Sequence, residues 1–253
     1  MPVSLKALIT CFLRSYLTGA AFNTRGMQNI GLGYAIDPGL QEIYSDPVSL
    51  QKARRRHVRL YNTHPLWNPL LIGLILSLES KISRNLFPAP TLPRVKSTLV
   101  FTLSAIGDSF FSGSFIITWS LTTILLLFLN LHSLAVLLGL AVFLLIQWFK
   151  LYTFYMGATQ GLIFINRLKR WDLINWGSRL KVCNALLILA FWLVIWPFNW
   201  HLYNFIPVAA AGLILTCLYR NIMWAREILL ACIMLILMFS PDFMAQIKLL
   251  INI

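Results

Sequence analysis

Asp108 lies inside the apolar run Leu99–Leu129, and Glu79 closes the apolar run Leu66–Leu78. A carboxylate in lipid is expensive unless it meets a partner or a wet cavity. The string Asn62-Thr63-His64-Pro65 stands just before the second of these runs, and Asn23 and Gln28 lie in the polar stretch nearer the start. Amides, hydroxyls, imidazole and carboxylates can donate to or accept from the hydroxyl groups of a neutral polar solute. Recognition of such a solute at the ends of broken helices is the chemistry these residues suggest. Asn62 or Thr63 serves equally well as a plain cap for the helix that follows.

Covalent chemistry is not signalled. The chain has no GxSxG elbow, HExxH, phosphate loop or dinucleotide fingerprint. Its four histidines (His57, His64, His132, His201) share no metal-ligand spacing, and its four cysteines form no CxxC pair. Neither a metal nor a cofactor is expected. An intramembrane enzyme would have only Asp108 and Glu79 as acid–base candidates.

These residues must be positioned by elements in lipid. Of 253 residues, 58% are hydrophobic and 11% charged, against about 45–50% and about 25% in soluble domains. The net charge of +13 comes from 21 Lys and Arg against 8 Asp and Glu. These basics fall between apolar runs, which fits cytoplasmic loops and argues against nucleic acid. The fold class expected is all-α: a polytopic helical membrane protein with amphipathic N-terminal helices, re-entrant or broken helices and spanning hairpins.

Residues 1–62 read as an interfacial region and 63–253 as a transmembrane helical domain. In the first, Leu5, Leu8, Ile9, Phe12, Leu13, Tyr16 and Leu17 recur at helical spacing. Arg14 interrupts this stretch, so it reads as an uncleaved amphipathic helix at the membrane surface. Asp46 as N-cap and Pro47 at the first helical position open another helix, which carries the basic run Lys52–Arg59. In the second region Leu66–Leu78 is too short to span, has basic residues on both sides and reads as re-entrant. Residues 81–96, with Pro88, Pro90 and Pro93, read as an extended loop. Leu99–Leu129 reads as an element broken at Gly107, Asp108 and Gly113. Leu134–Phe149 and Thr153–Ile165 read as separate segments, the latter interrupted at Gly157 and Gly161. Lys and Arg place residues 52–59, 81–96, 167–181 and 220–226 in the cytoplasm; the turns at 130–132 and 199–204, the latter beside an aromatic belt, lie outside. The short glycine-interrupted segments fit a substrate site and close helix packing equally well.

Several stretches resemble one family. Phe12-Leu-Arg14-Ser15, then Phe22-Asn23 and Met27-Gln28, are similar to the opening of the IID membrane subunits of mannose/fructose/sorbose-family sugar phosphotransferase permeases. Arg56-His57, Tyr61-Asn62-Thr63-His64-Pro65, Pro69, Gly73 and Leu78-Glu79 resemble that family's most recognisable stretch. Lys96, Ala105-Ile-Gly107-Asp108-Ser109, Pro207 and Leu218-Tyr-Arg220 extend the likeness over nearly the whole chain. The resemblance implies a non-catalytic translocation subunit in the bacterial cytoplasmic membrane. It implies a IIC-type membrane partner, cytoplasmic IIA and IIB phosphocarriers and a hexose-like sugar. Asn23, Gln28, Asn62, Thr63, His64, Glu79 and Asp108 are the candidate sugar-binding residues. Arg25 and Gly26 stand where the family usually has an acidic and a basic residue, and Phe101–Ala105 replaces a Gly-Pro-Leu-Ala-Gly approach. A IID-derived scaffold without transport is therefore the alternative reading.

Overall fold

A computed structural model describes residues 3–194 and, beyond them, only the isolated positions 206, 210 and 228. The chain divides into two compact units, Met1–Ile195 and Trp196–Ile253. The fold below is that of the first. The expected turn at 199–204, most of its aromatic belt and the closing hairpin lie outside the described residues.

Every regular element among the described residues is helical: α1 Leu5–Ser15, α2 Asn29–Ile43, α3 Pro47–Arg56, α4 Asn68–Ser83, α5 Leu92–Gly107, α6 Ile116–Phe128, α7 His132–Gln160, α8 Leu162–Leu168 and α9 Leu173–Val194. A π-helical segment, Asp108–Phe115, joins α5 to α6. Two isolated β-bridges, Asn23 with Met27 and Met27 with Tyr61, pin the loop before α2 to the chain before α4.

The centre is α4. Its sequence, NPLLIGLILSLESKIS, is apolar on all sides through Leu78, and a helix of that kind must be buried on all sides. Each residue from Asn68 to Ser80 is buried. The run expected to be re-entrant is thus the core helix, and it extends beyond Leu78 to Ser83. Its main neighbour is α7, with α2, α1 and α5 also against it. Glycines set the α4–α7 distance. A Cβ on Gly73 would lie 2.4 Å from the Phe154 carbonyl oxygen, and one on Gly157 would lie 2.5 Å from that of Leu70. Of the two readings open for these glycines, close packing accounts for Gly73 and Gly157. Gly157→Val should push the helices apart, costing about 1–3 kcal/mol and lowering the thermal midpoint in detergent. Gly139→Ala, on the same helix with open space around it, should leave the midpoint unchanged.

Two expected breaks are absent. α7 runs unbroken through Lys150 and Gly157 for 29 residues, so the two segments anticipated at 134–149 and 153–165 are largely one helix. It ends at Gly161, whose φ of +58° is a conformation that side chains disfavour. Likewise α5, the π segment and α6 form one continuous helical stretch, with 3₁₀ turn Ala89–Thr91 leading in. Helix therefore begins before the end of the loop expected at 81–96, with Pro93 in the first turn of α5, where it forfeits no bond.

Ala89–Phe128 and His132–Gln160 are long and apolar enough to cross a membrane. Their most apolar 18-residue windows are only 11% and 6% buried. Water would not tolerate such surfaces: Val136, Leu137, Leu140, Phe143, Leu144 and Trp148 of α7 are all more than half exposed. The core helix of a soluble protein would be buried instead, so lipid or another membrane chain covers these faces. α1 behaves similarly. It packs inward through Ala7, Cys11 and Ser15 and presents Leu5, Ile9, Leu13, Tyr16 and Leu17 outward.

Candidate functional site

The loop 23–29 is a self-contained turn built on Asn23. Asn23 Oδ1 accepts from the Gly26 and Arg25 amides at 2.8 and 3.1 Å, while Nδ2 donates to Met27 O and Asn29 Oδ1 at 3.1 and 2.8 Å. Met27 adopts φ +58°. A Cβ on Gly26 would fall 2.1 Å from Asn29 Nδ2, so glycine suits this turn. All the polar capacity of Asn23 goes into shaping it. Gln28 then docks the turn onto the polar string before α4. Its backbone N–H donates to Tyr61 O at 2.8 Å, and its side-chain amide exchanges long 3.4 Å bonds with the Thr63 backbone.

Within that string Asn62 is exposed and Thr63 is buried, with a hydroxyl that lacks a partner among the described residues. The caps considered for Asn62 and Thr63 do not form; Trp67 occupies the N-cap position of α4 without a side-chain bond. His64 is 7% exposed and bridges to the π segment. Its Nδ1 accepts from the Leu66 amide at 3.3 Å, which leaves Nε2 as the protonated nitrogen, donating to Ser112 Oγ at 3.0 Å. The ring stacks on Phe111 with centroids 5.4 Å apart. Gly107 permits this approach, since a Cβ there would lie 2.5 Å from that of His64. Burial holds His64 below its ordinary imidazole range; Asp108 opposes that shift and Lys150 adds to it.

Asp108 opens the π segment and is exposed. Its backbone N–H bonds within the helix, but its carboxylate makes no hydrogen bond or ion pair among the described residues. The extra residue of a π turn leaves helix carbonyls in need of donors. Ser114 Oγ donates to Ser109 O at 2.9 Å, and Ser114 O accepts from Thr118 Oγ1 at 2.9 Å and from Asn184 Nδ2 of α9 at 3.2 Å. Asn184 Oδ1 lies 2.7 Å from the same Thr118 hydroxyl, whose single proton the two acceptors share. The break expected at 107–113 is thus a π turn whose carbonyls are satisfied from a second helix. Nothing in the spacing of the sequence announced Asn184.

Glu79 sits elsewhere, fully buried at the far end of α4. Arg56 donates Nε to Oε1 at 3.0 Å and Nη2 to Oε2; His57 Nε2 donates to Oε1 at 2.8 Å; Tyr44 donates to Oε2 at 2.7 Å. Burial alone would raise this carboxyl, but hydrogen bonds from His57 and Arg56 override it and hold Glu79 at about 2. Burial lowers His57, so the cluster is a Glu79–Arg56 ion pair with a neutral imidazole. It ties the ends of α2 and α3 to α4, and no oxygen of Glu79 is left for a solute.

A cavity of about 190 Å³ adjoins the polar string, lined by Ser15, Tyr16, Gln28, Asn68 and Lys150 among others. That is roughly six water volumes at ~30 Å³ each. Asn68 Oδ1 accepts from Tyr61 at 2.8 Å. Lys150 Nζ lies 4.3 Å from the Tyr16 ring centroid, a cation–π contact that lets the lysine sit mid-helix. Of the sequence candidates, Gln28, Thr63, His64 and Asp108 are therefore neighbours around the α4 entrance and π segment. Asn23 shapes the loop beneath, Asn62 lies at the rim, and Glu79 belongs to a separate anchor. Lys150, Asn68 and Ser112 join the site through tertiary contacts.

Residues 2–194 match the family model described as PTS system mannose/fructose/sorbose family IID component. The chain is similar to the fructose permease IID component of Bacillus subtilis (24% identity over 110 residues, 43% of this chain and 40% of the relative). It is also similar to the mannose-specific EIID component of Escherichia coli K12 (29% over 105 residues, 41% and 37%). The chain thus spans about two-fifths of the length of the curated relatives it matches. One solved structure, titled Structure of membrane protein, superposes with TM-score 0.62 at 20% identity, covering 74% of this chain and 70% of the other. The cryo-EM structure of mannose transporter ManYZ with microcin E492 superposes with TM-score 0.55 at 21% identity, covering 74% and 69%. At those identities the likeness concerns the fold.

Proposed function

This chain belongs to the mannose/fructose/sorbose family of phosphotransferase-system IID components, and we propose that it is the membrane subunit that completes a sugar translocation unit with a IIC-type partner. It works in the bacterial cytoplasmic membrane as a multi-pass protein. Cytoplasmic IIA and IIB carriers phosphorylate the arriving hexose-like sugar, and this chain carries no phosphoryl group itself.

Asp108 carries the proposal. It is exposed in the middle of a long apolar helix without a partner among the described residues. A carboxylate there costs about 2.5–3.5 kcal/mol or more when it faces lipid. A partner subunit or a wet passage between subunits removes that penalty. His64 and Ser112 lie beside it, with Thr63 and Gln28 adjoining, and polar groups of these kinds suit a neutral hydroxylated solute. A sugar held at this boundary, released inward and phosphorylated there, cannot recross the bilayer.

The test is purification of the tagged chain in mild detergent from membranes expressing all four components. A IIC-type membrane protein is expected in stoichiometric amount. Recovery of the chain alone under conditions that keep it folded would refute the assembly. The alternative, a IID-derived scaffold without transport, is favoured by the saturation of Asn23 and Glu79 in structural bonds. It predicts the same co-purification but no labelled-hexose uptake.

A further inference from the structure

We propose that the basic cavity between the end of the α3 loop and the first turns of α5 binds a phosphate-bearing anion: the headgroup of an anionic lipid or a free phosphate monoester. This cavity is distinct from the polar site at α4. It measures about 650 Å³ and is lined by Arg59 on one side and by Arg94, Lys96, Ser97 and Thr98 on the other.

Lys96 is the decisive residue. It is 3% exposed, and its ammonium has no hydrogen-bond partner among the described residues. An isolated buried ammonium is strongly unfavourable, and removing water from it calls for an anion nearby. Glu79 acts on Lys96 at a distance, but its oxygens already accept from Arg56, His57 and Tyr44. Among the described residues no acidic side chain lines the cavity, and none lies in the first turn of α5.

The helix itself adds to the imbalance. α5 has 16 residues, and Arg94 and Lys96 stand near its positive end, where cations are disfavoured and anions favoured. Three cations lining one cavity, without a counter-charge among the described residues, match a group bearing one or two negative charges. The Arg59 and Arg94 guanidiniums offer paired donors suited to phosphate oxygens, and Lys96 adds a point charge from behind. Thr98 is spent on the Arg94 carbonyl at 3.1 Å, which leaves Ser97 as the hydroxyl donor. The opening is wide enough for a phosphate with a substituent. Both walls lie in segments that carry several Lys and Arg, the side on which anionic lipids and phosphorylated solutes are met.

The experiment uses the full chain with its membrane partner in nanodiscs. One arm compares thermal midpoints in phosphatidylglycerol-containing and pure phosphatidylcholine discs. The other titrates hexose 6-phosphate and inorganic phosphate into the phosphatidylcholine discs, with potassium chloride at matched ionic strength as control. Lys96→Gln and Arg94→Gln are measured alongside; Arg94 is exposed, so its variant keeps the test open should Lys96→Gln fail to fold. A rise in midpoint of several degrees with phosphatidylglycerol assigns a lipid headgroup. A rise with the soluble esters assigns a free phosphate. In either case, at least tenfold weaker binding in the variants is expected. No anion-specific rise in either arm, or a rise undiminished in the variants, would overturn the proposal. Sugar uptake is read separately, so failure here leaves the transport proposal standing.

Discussion

Asp108→Asn should lower phosphoenolpyruvate-driven hexose uptake about ten- to a hundredfold while leaving the amount of protein in the membrane unchanged. The substitution keeps the size of the side chain, removes the charge and turns one acceptor oxygen into an NH2 donor. Hydrogen bonds to charged groups contribute about 1.5–3 kcal/mol, which sets the size of the loss. Insertion should not suffer, because the carboxylate is the costly form in lipid and makes no bond among the described residues that the fold would lose. Uptake at the wild-type level, with every partner present, would mean that this charge faces nothing of consequence. Asn62→Ala, at the exposed rim, should also reduce uptake without affecting insertion.

Glu79→Gln should act on the fold instead. Arg56 is largely buried and His57 and Glu79 wholly so, and removing one member of a buried pair costs about 3–5 kcal/mol because the other charge is stranded. The thermal midpoint should fall steeply even without sugar. A residue that bound sugar directly would instead weaken sugar affinity while the midpoint held. The pH dependence follows from the sign of the shift. Glu79 is held at about 2 in the fold, below its unfolded value near 4.3. Its stabilisation is complete above about pH 4.5 and is lost as pH falls toward 2, by roughly 3 kcal/mol. Burial also lowers His57, so the unfolded chain takes up that proton first and stability begins to decline below about pH 6.5. In Glu79→Gln the decline between pH 4.5 and 2 should be smaller.

Local signals in the sequence translated directly into structure. Asp46 and Pro47 begin α3, with Asp46 accepting from the Val48 and Ser49 amides. The Gly107–Gly113 region departs from regular helix, as its residues suggest, although π turns preserve continuity where a break was expected. Signals that depend on distant neighbours were not legible. Lys150 reads as a boundary in one dimension; in three it rests over Tyr16, and α7 continues through it. Glu79 reads as a free acid because Arg56 and His57 lie more than twenty residues earlier, and nothing local indicates that α3 brings them to the end of α4. Asn184 reads as one polar residue in a spanning helix, and its role arises only because α9 packs on the π turn. Most of the apolar stripe of α1 faces outward, while its Leu8 and Phe12 pack inward beside the small residues Ala7, Cys11 and Ser15.

The Asp108 face is expected to meet a IIC-type subunit rather than lipid. Ala105 is exposed one turn before Asp108, so a photo-reactive residue there keeps the carboxylate and probes that face. Irradiation of membranes that retain sugar uptake should yield one prominent adduct with the IIC-type chain, diminished when sugar is added or when Asp108 is replaced by Asn. Adducts with lipid alone, in membranes where uptake is intact, would mean that this face meets lipid and no IIC-type subunit.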